Sequence, residues 1–170
     1  MKKLAYTLAL LTLGTAPGFA LAGPGGTSCA TAEEIFPSEQ VSGDTSGAGY
    51  GNPVGAVGPL PSPANDAIYK FTSDGQATTF IAFTGQYAWA AYLTTSCAGT
   101  AASPMEAASG AAGASGNLPI DNGSGGALAA GTTYYVIVTG DPSQPASSNG
   151  GFSFTAPNPL PVALQTFSID

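Results

Sequence analysis

The stretch "GTTYYVIVTG", Gly131–Gly140, decides how the rest of the chain is read. Side chains alternate across an extended backbone. Tyr135 and Ile137 therefore face one way, and Tyr134, Val136 and Val138 the other. Apolar groups on both sides suit a strand in the middle of a sheet, covered front and back. Working outward, shorter runs of the same kind appear. "DAIYKFT" (66–72) places Ala67, Tyr69 and Phe71 on one face and Ile68, Lys70 and Thr72 on the other. "TTFIAFT" (78–84), "YAWAAYLTT" (87–95) and "GGFSFTA" (150–156) follow the same rule, rich in β-branched and aromatic residues. The turn residues of "SDGQ" and "TGQ" separate them, and Asp74-Gly75 predicts a hairpin. Short apolar runs punctuated by turns predict an all-β fold: an antiparallel, jelly-roll-like β-sandwich with little helix. Its core scaffold is Tyr69, Phe71, Trp89, Tyr135, Phe152 and Phe154. Trp89 shares a face with Tyr87 and Leu93, which suits a core ring better than a sugar platform.

Lys70 is the one cation outside the first three residues. Pointing away from Tyr69 and Phe71, its ammonium reaches water while the rings enter the core. A catalytic lysine needs burial or a neighbouring cation to lower its pKa, and the sequence offers no such partner.

Two short helices are expected. "TAEEIF" (31–36) spaces Thr31 and Glu34 as a capping box, and "SPMEAASGAAGA" (103–114) opens with Ser103 as cap and Pro104 at the first helical position. Gly110 and Gly113 weaken the second. By composition Ala98–Gly126 is the least ordered region, with "LPID" (118–121) a brief strand inside it.

The ends carry their own signals. "MKKLAYTLALLTLGTAPGFALA" has a basic start, an apolar run and a closing Ala20-Leu21-Ala22, which predicts a signal peptide over residues 1–22. The run is too short and too interrupted by Gly14 and Pro17 for a membrane span. Secretion leaves a sandwich over 23–158 and a Pro-led strand over 159–170. That last segment either completes the sandwich or pairs with a sheet edge on another molecule, a route to self-association. Removal of the leader takes two of the three cations and none of the ten carboxylates, leaving a net charge of −9. Such a chain repels nucleic acid and anionic lipid. In an oxidising compartment Cys29 and Cys97, 68 residues apart, form one disulfide.

The chain contains no histidine. Serine triads, cysteine–histidine dyads and histidine-bound catalytic metals are thereby excluded. Carboxylate pairs remain open for hydrolysis of glycosides, yet Glu33 and Glu34 are adjacent and expected to be solvated. Asp66, Asp74 and Asp141 are the candidate calcium ligands, and calcium is the one cofactor considered. They and Asp121 also stand beside turn residues, where aspartate bonds its own backbone. "NGS" at Asn122–Ser124 matches a glycosylation acceptor, a three-residue pattern of low specificity.

With these strands placed, the pieces "CATAEEI", "SGDTSGA", "DAIYKFT", "AAYLTTSCAGT", "LAAGTTYYVIVTGD" and "GGFSFT" stand in an order that resembles the bacterial pre-peptidase C-terminal domain. The resemblance covers roughly Cys29 to Thr155. It includes the aspartate-x-x-tyrosine-x-phenylalanine strand (Asp66, Tyr69, Phe71) and the glycine-threonine-tyrosine-tyrosine strand from Gly131 to Tyr135. It implies a secreted, non-catalytic β-sandwich that accompanies hydrolases or surface proteins; some relatives bind calcium or collagen. Where many members carry an acidic turn after the second cysteine, this chain has "ASPMEAASGAAGASG". The expectation is a non-enzymatic module that binds an extracellular ligand: a glycan, a protein or a cell surface. A structural subunit of a surface layer or filament, assembling through the C-terminal strand, is the alternative.

Overall fold

The structure, a computed structural model, describes residues 21–22, 24–57, 60–61, 64–76, 79–97, 104–143 and 149–157. Its elements in chain order are β1 (Leu21–Ala22), a 3-10 turn (Cys29–Thr31), β2 (Glu33–Glu34), β3 (Gln40–Asp44), β4 (Ala56–Val57), β5 (Leu60–Pro61) and β6 (Ala67–Thr72). Then follow β7 (Thr79–Gly85), β8 (Trp89–Thr94), β9 (Glu106–Gly110), β10 (Ser115–Ile120), β11 (Thr133–Gly140) and β12 (Gly151–Thr155). One sheet runs β1-β3-β12-β7-β10, the other β2-β6-β11-β8-β9, and β4 with β5 forms a small ribbon. The pairings are antiparallel apart from β1 with β3 and β2 with β6. This is the all-β sandwich that the alternating runs predict.

The apolar run at 131–140 takes the central position expected of it. β11 lies between β6 and β8, with Tyr134 opposite Phe71 and Val136 opposite both Tyr69 and Leu93. Tyr134, Val136 and Val138 look inward, into a core shared with Tyr69, Phe71, Phe83, Trp89, Phe152 and Phe154. Tyr69 meets Phe154 edge to face at 5.1 Å, and Phe83 stacks on Trp89 at 5.4 Å. Each large side chain so buried is worth about 1.5–3 kcal/mol relative to exposure, which makes this aromatic layer the main stabilising element. Ile137, on the opposite face of β11, is also fully buried, in a second cluster with Ile68, Ala90, Tyr92, Val54 and Cys97. Tyr135 packs half-buried against that second cluster rather than in the inter-sheet core, where Tyr134 sits instead.

The Cys29–Cys97 bridge, with Cα atoms 5.4 Å apart, ties the 3-10 turn to the segment after β8. It borders the second cluster and holds the N-terminal segment over the outside of β11. Lys70 is half-buried, between fully buried Tyr69 and Phe71 on its own strand. Its neighbour on the outward face, Ile68, is covered, so this face is only partly solvated.

Four further expectations need correction. Residues 106–110 form strand β9, not a helix: Glu106 lies opposite Leu93 and Gly110 opposite Trp89. Pairing with β8 outweighs the modest helix preference of Ala, Met and Glu. At the N-terminal segment, the cap is Ser28 with Thr31, and only one 3-10 turn forms before β2 extends. Asp74-Gly75 does not join a hairpin, because β6 and β7 belong to different sheets. Gly75 (φ +83°) instead turns the chain from one layer to the other. The region 98–126 also differs from its expectation: from residue 104 onward it carries β9 and β10, the latter extending "LPID" backward to Ser115. The C-terminal segment 159–170 and residues 1–20 of the expected signal peptide lie outside the described residues; Leu21 and Ala22 pair in parallel with Gln40 and Val41.

Candidate functional site: an uncharged hydroxyl face

Alternation in the first sheet sends one set of residues into the core and the other outward. On β12, Phe152 and Phe154 are buried while Ser153 and Thr155 are exposed. On β7, Ile81 and Phe83 are buried while Phe80, Ala82 and Thr84 are exposed. β3 exposes Gln40 and Ser42, and β10 exposes Ser115 and Asn117.

Strand register then aligns these outward groups into rows. Ser42 lies opposite Ser153, Ser153 opposite Thr84, and Thr84 opposite Ser115. The second row is Gln40–Thr155–Ala82–Asn117, and Phe80 with Pro119 begins a third. Directly opposed residues share a face, with strands about 4.8 Å apart, so a row across four strands spans about 14 Å. Thr84 and Ser115 are joined through their hydroxyls at 2.9 Å. A shallow trough of about 400 Å³ follows Gln40, Ser42, Thr84 and Ser153. A neighbouring trough of about 340 Å³ is lined by Phe80, Thr79 and Pro157, and the two share Ala82 and Thr155.

The rows hold no ionisable side chain. Asp44 stands at their rim, opposite Gly151. Hydrogen bonds from the Ser46 hydroxyl and backbone amide hold its carboxyl below the usual range. Glu39 turns back to accept from the Phe36 amide at 2.8 Å. At the centre of the face, hydroxyls and amides both donate and accept, and Phe80 adds an aromatic ring that is 53% exposed.

The aspartates proposed as calcium ligands are each occupied by backbone groups. Asp66 is fully buried and accepts from the Val54 amide at 3.0 Å. Asp74 accepts from Gln76 N at 2.9 Å, and Asp141 from Ser143 N and its hydroxyl. Asn122 likewise accepts from Ser124 and Gly126 amides. Among the described residues no three Cys, Asp or Glu side chains gather as a metal site. Tyr69, Phe71, Trp89, Phe152 and Phe154 are core residues.

One pairing escaped the sequence reading. Glu106 on β9 and Asp121 after β10 come together, and the Glu106 carboxyl is pushed up, first by desolvation and then by its hydrogen bond and repulsion with Asp121. Asp121 also accepts from the Gly123 and Gly125 amides, at 2.7 and 3.3 Å. Nothing in a helical reading of 103–114 brings these two residues together. The hydroxyl rows were likewise unread, because strand order is set by the fold. The signal present was Ser153 between Phe152 and Phe154, with Thr155 and Thr84 each following a phenylalanine in "FSFT" and "FIAFT". No family model, curated protein or solved structure matches this chain.

Proposed function

We propose that the chain is a secreted, non-catalytic β-sandwich module, of the kind the pre-peptidase C-terminal domains represent, that binds a surface outside the cell. Its contact surface is the hydroxyl face of the first sheet. The observation that carries this reading is the alignment of Ser42, Ser153, Thr84 and Ser115 in one exposed, uncharged row. A chain with a net charge of −7 needs surface charge for solubility. Its carboxylates are nevertheless kept off these rows, which leaves a patch fit for contact with an uncharged partner. The leader and the disulfide support an oxidising, extracellular location. The resemblance to a non-catalytic family and the absence of histidine from the sequence support a binding role over catalysis.

The test is retention of the leader-free protein on washed bacterial cell walls and on insoluble polysaccharides, beside Ser153→Arg. Arginine at the centre of the row adds bulk and charge without touching the core. The reading expects retention that Ser153→Arg removes while the melting temperature stays put. Retention on neither surface, or retention indifferent to the substitution, contradicts it.

A further inference from the structure

The rows themselves narrow the class of ligand, on the footing that the hydroxyl face is the contact surface. We propose that this face binds a neutral polysaccharide chain laid obliquely over the rows, from Ser42 and Ser153 toward Phe80, which stacks against a sugar ring at that end. Three observations converge on it.

The first is chemical. Serine and threonine hydroxyls with the Gln40 and Asn117 amides present both donors and acceptors, as sugar hydroxyls do. An anionic polymer finds no cation there, meets Asp44 at the rim, and faces a chain of net charge −7.

The second is geometric. Successive groups in a row are about 4.8 Å apart, close to the length of one sugar ring, and the next row lies about 7 Å along the strands. The patch is thus about 14 Å on a side, far below the ~800 Å² per partner of a stable protein interface. It suits a few rings of a chain instead. A second copy of this protein is also disfavoured because its hydroxyls would be buried with few apolar neighbours, and unmatched polar burial is unfavourable.

The third is Phe80. A phenylalanine 53% exposed on a regular strand is an apolar group left in water. It lines the trough that is continuous, through Ala82 and Thr155, with the hydroxyl rows. An aromatic face beside hydrogen-bonding groups matches the apolar face and hydroxyl edge of a pyranose.

Affinity gel electrophoresis of the leader-free protein tests this, with soluble mixed-linkage β-glucan, galactomannan and polygalacturonate as probes. Retardation by at least one neutral polymer and none by polygalacturonate is expected. Phe80→Ala should weaken the apparent affinity about tenfold, as for an aromatic anchor, with an unchanged melting temperature. Phe36→Ala, equally exposed but not lining the trough, should match wild type. If cell walls retain the protein through Ser153 but no neutral polymer retards it, the ligand class is wrong while the contact surface stands. Retardation that survives Ser153→Arg removes both. Stronger retardation by polygalacturonate, or a doubling of mass that Ser153→Arg abolishes, also overturns the proposal.

Discussion

Trp89 shows how much of this fold rests on glycine. Its ring is buried, stacks on Phe83, and donates Nε1–H to the Ala114 carbonyl at 3.1 Å. Gly85, Gly110 and Gly116 surround it. A methyl group on Gly110 would come within 2.7 Å of the indole nitrogen, and one on Gly116 within 2.9 Å of the ring. Gly110→Ala should therefore destabilise by about 1–3 kcal/mol, the usual result of overpacking a filled core. Thermal unfolding checks it; an unchanged midpoint would mean the indole moves aside freely. That Trp89 enters the core was legible from its alternation with Tyr87 and Leu93. The three glycines that make room for it were not, since they come from β7, β9 and the start of β10. The aspartates give the opposite lesson. Their position beside turn residues already suggested backbone bonding, and Asp66, Asp74 and Asp141 each accept a backbone amide. Added calcium or chelator should leave the melting temperature unmoved, because an ion held by the folded state alone stabilises by mass action. A rise with calcium would reinstate them as ligands.

β9 is the element at which local preference and fold disagree most. Ala, Met and Glu favour helix, yet Ala108 and Gly110 look inward, against the core and Trp89, while β8 supplies the backbone partners. The strand carries Glu106 toward Asp121, and the result is a carboxyl held above its ordinary 4.5 by burial and its neighbour. A carboxyl raised in the folded state binds its proton more tightly there than in the unfolded chain. Stability is then lost as pH rises from 4.5 through the raised value. Glu106→Gln removes that loss. Its melting temperature should exceed that of the parent slightly at pH 7 and equal it near pH 4, a crossover that melts at the two pH values reveal. An equal difference at both would assign the effect to packing. No periodicity in the sequence announces β9. Only the partner strand explains it, and that partner is fixed by tertiary structure.

For the molecule as a whole, the staple and the buried phenols set the conditions of survival. A bridge between Cys29 and Cys97 closes 68 residues, worth about 4 kcal/mol by chain entropy. Replacing both cysteines by alanine should lower stability by an amount of that order, read from denaturant midpoints. Burial pushes Tyr87 and Tyr92 from 10.0 up to about 12, with nearby carboxylates adding to it. Unfolded tyrosines lose their protons first, so this stability is full below pH 10 and lost between about pH 10 and 12. Among the described residues the Tyr92 hydroxyl is buried without a partner. Tyr92→Phe should therefore be neutral or stabilising at pH 7 and flatten the alkaline decline; a loss of stability at pH 7 would reveal a bond to that hydroxyl. Layering, the central strand and the bridge were legible because apolar alternation and paired cysteines are local signals. The contact face was not, since it exists only once β3, β12, β7 and β10 lie side by side. The most direct test of that face is an amide chemical-shift map of the leader-free protein titrated with β-glucan oligosaccharides. Perturbations should concentrate on Gln40, Ser42, Phe80, Thr84, Ser153 and Thr155. Shifts confined to the β2-β6-β11-β8-β9 sheet, or none at saturating sugar, would contradict the account.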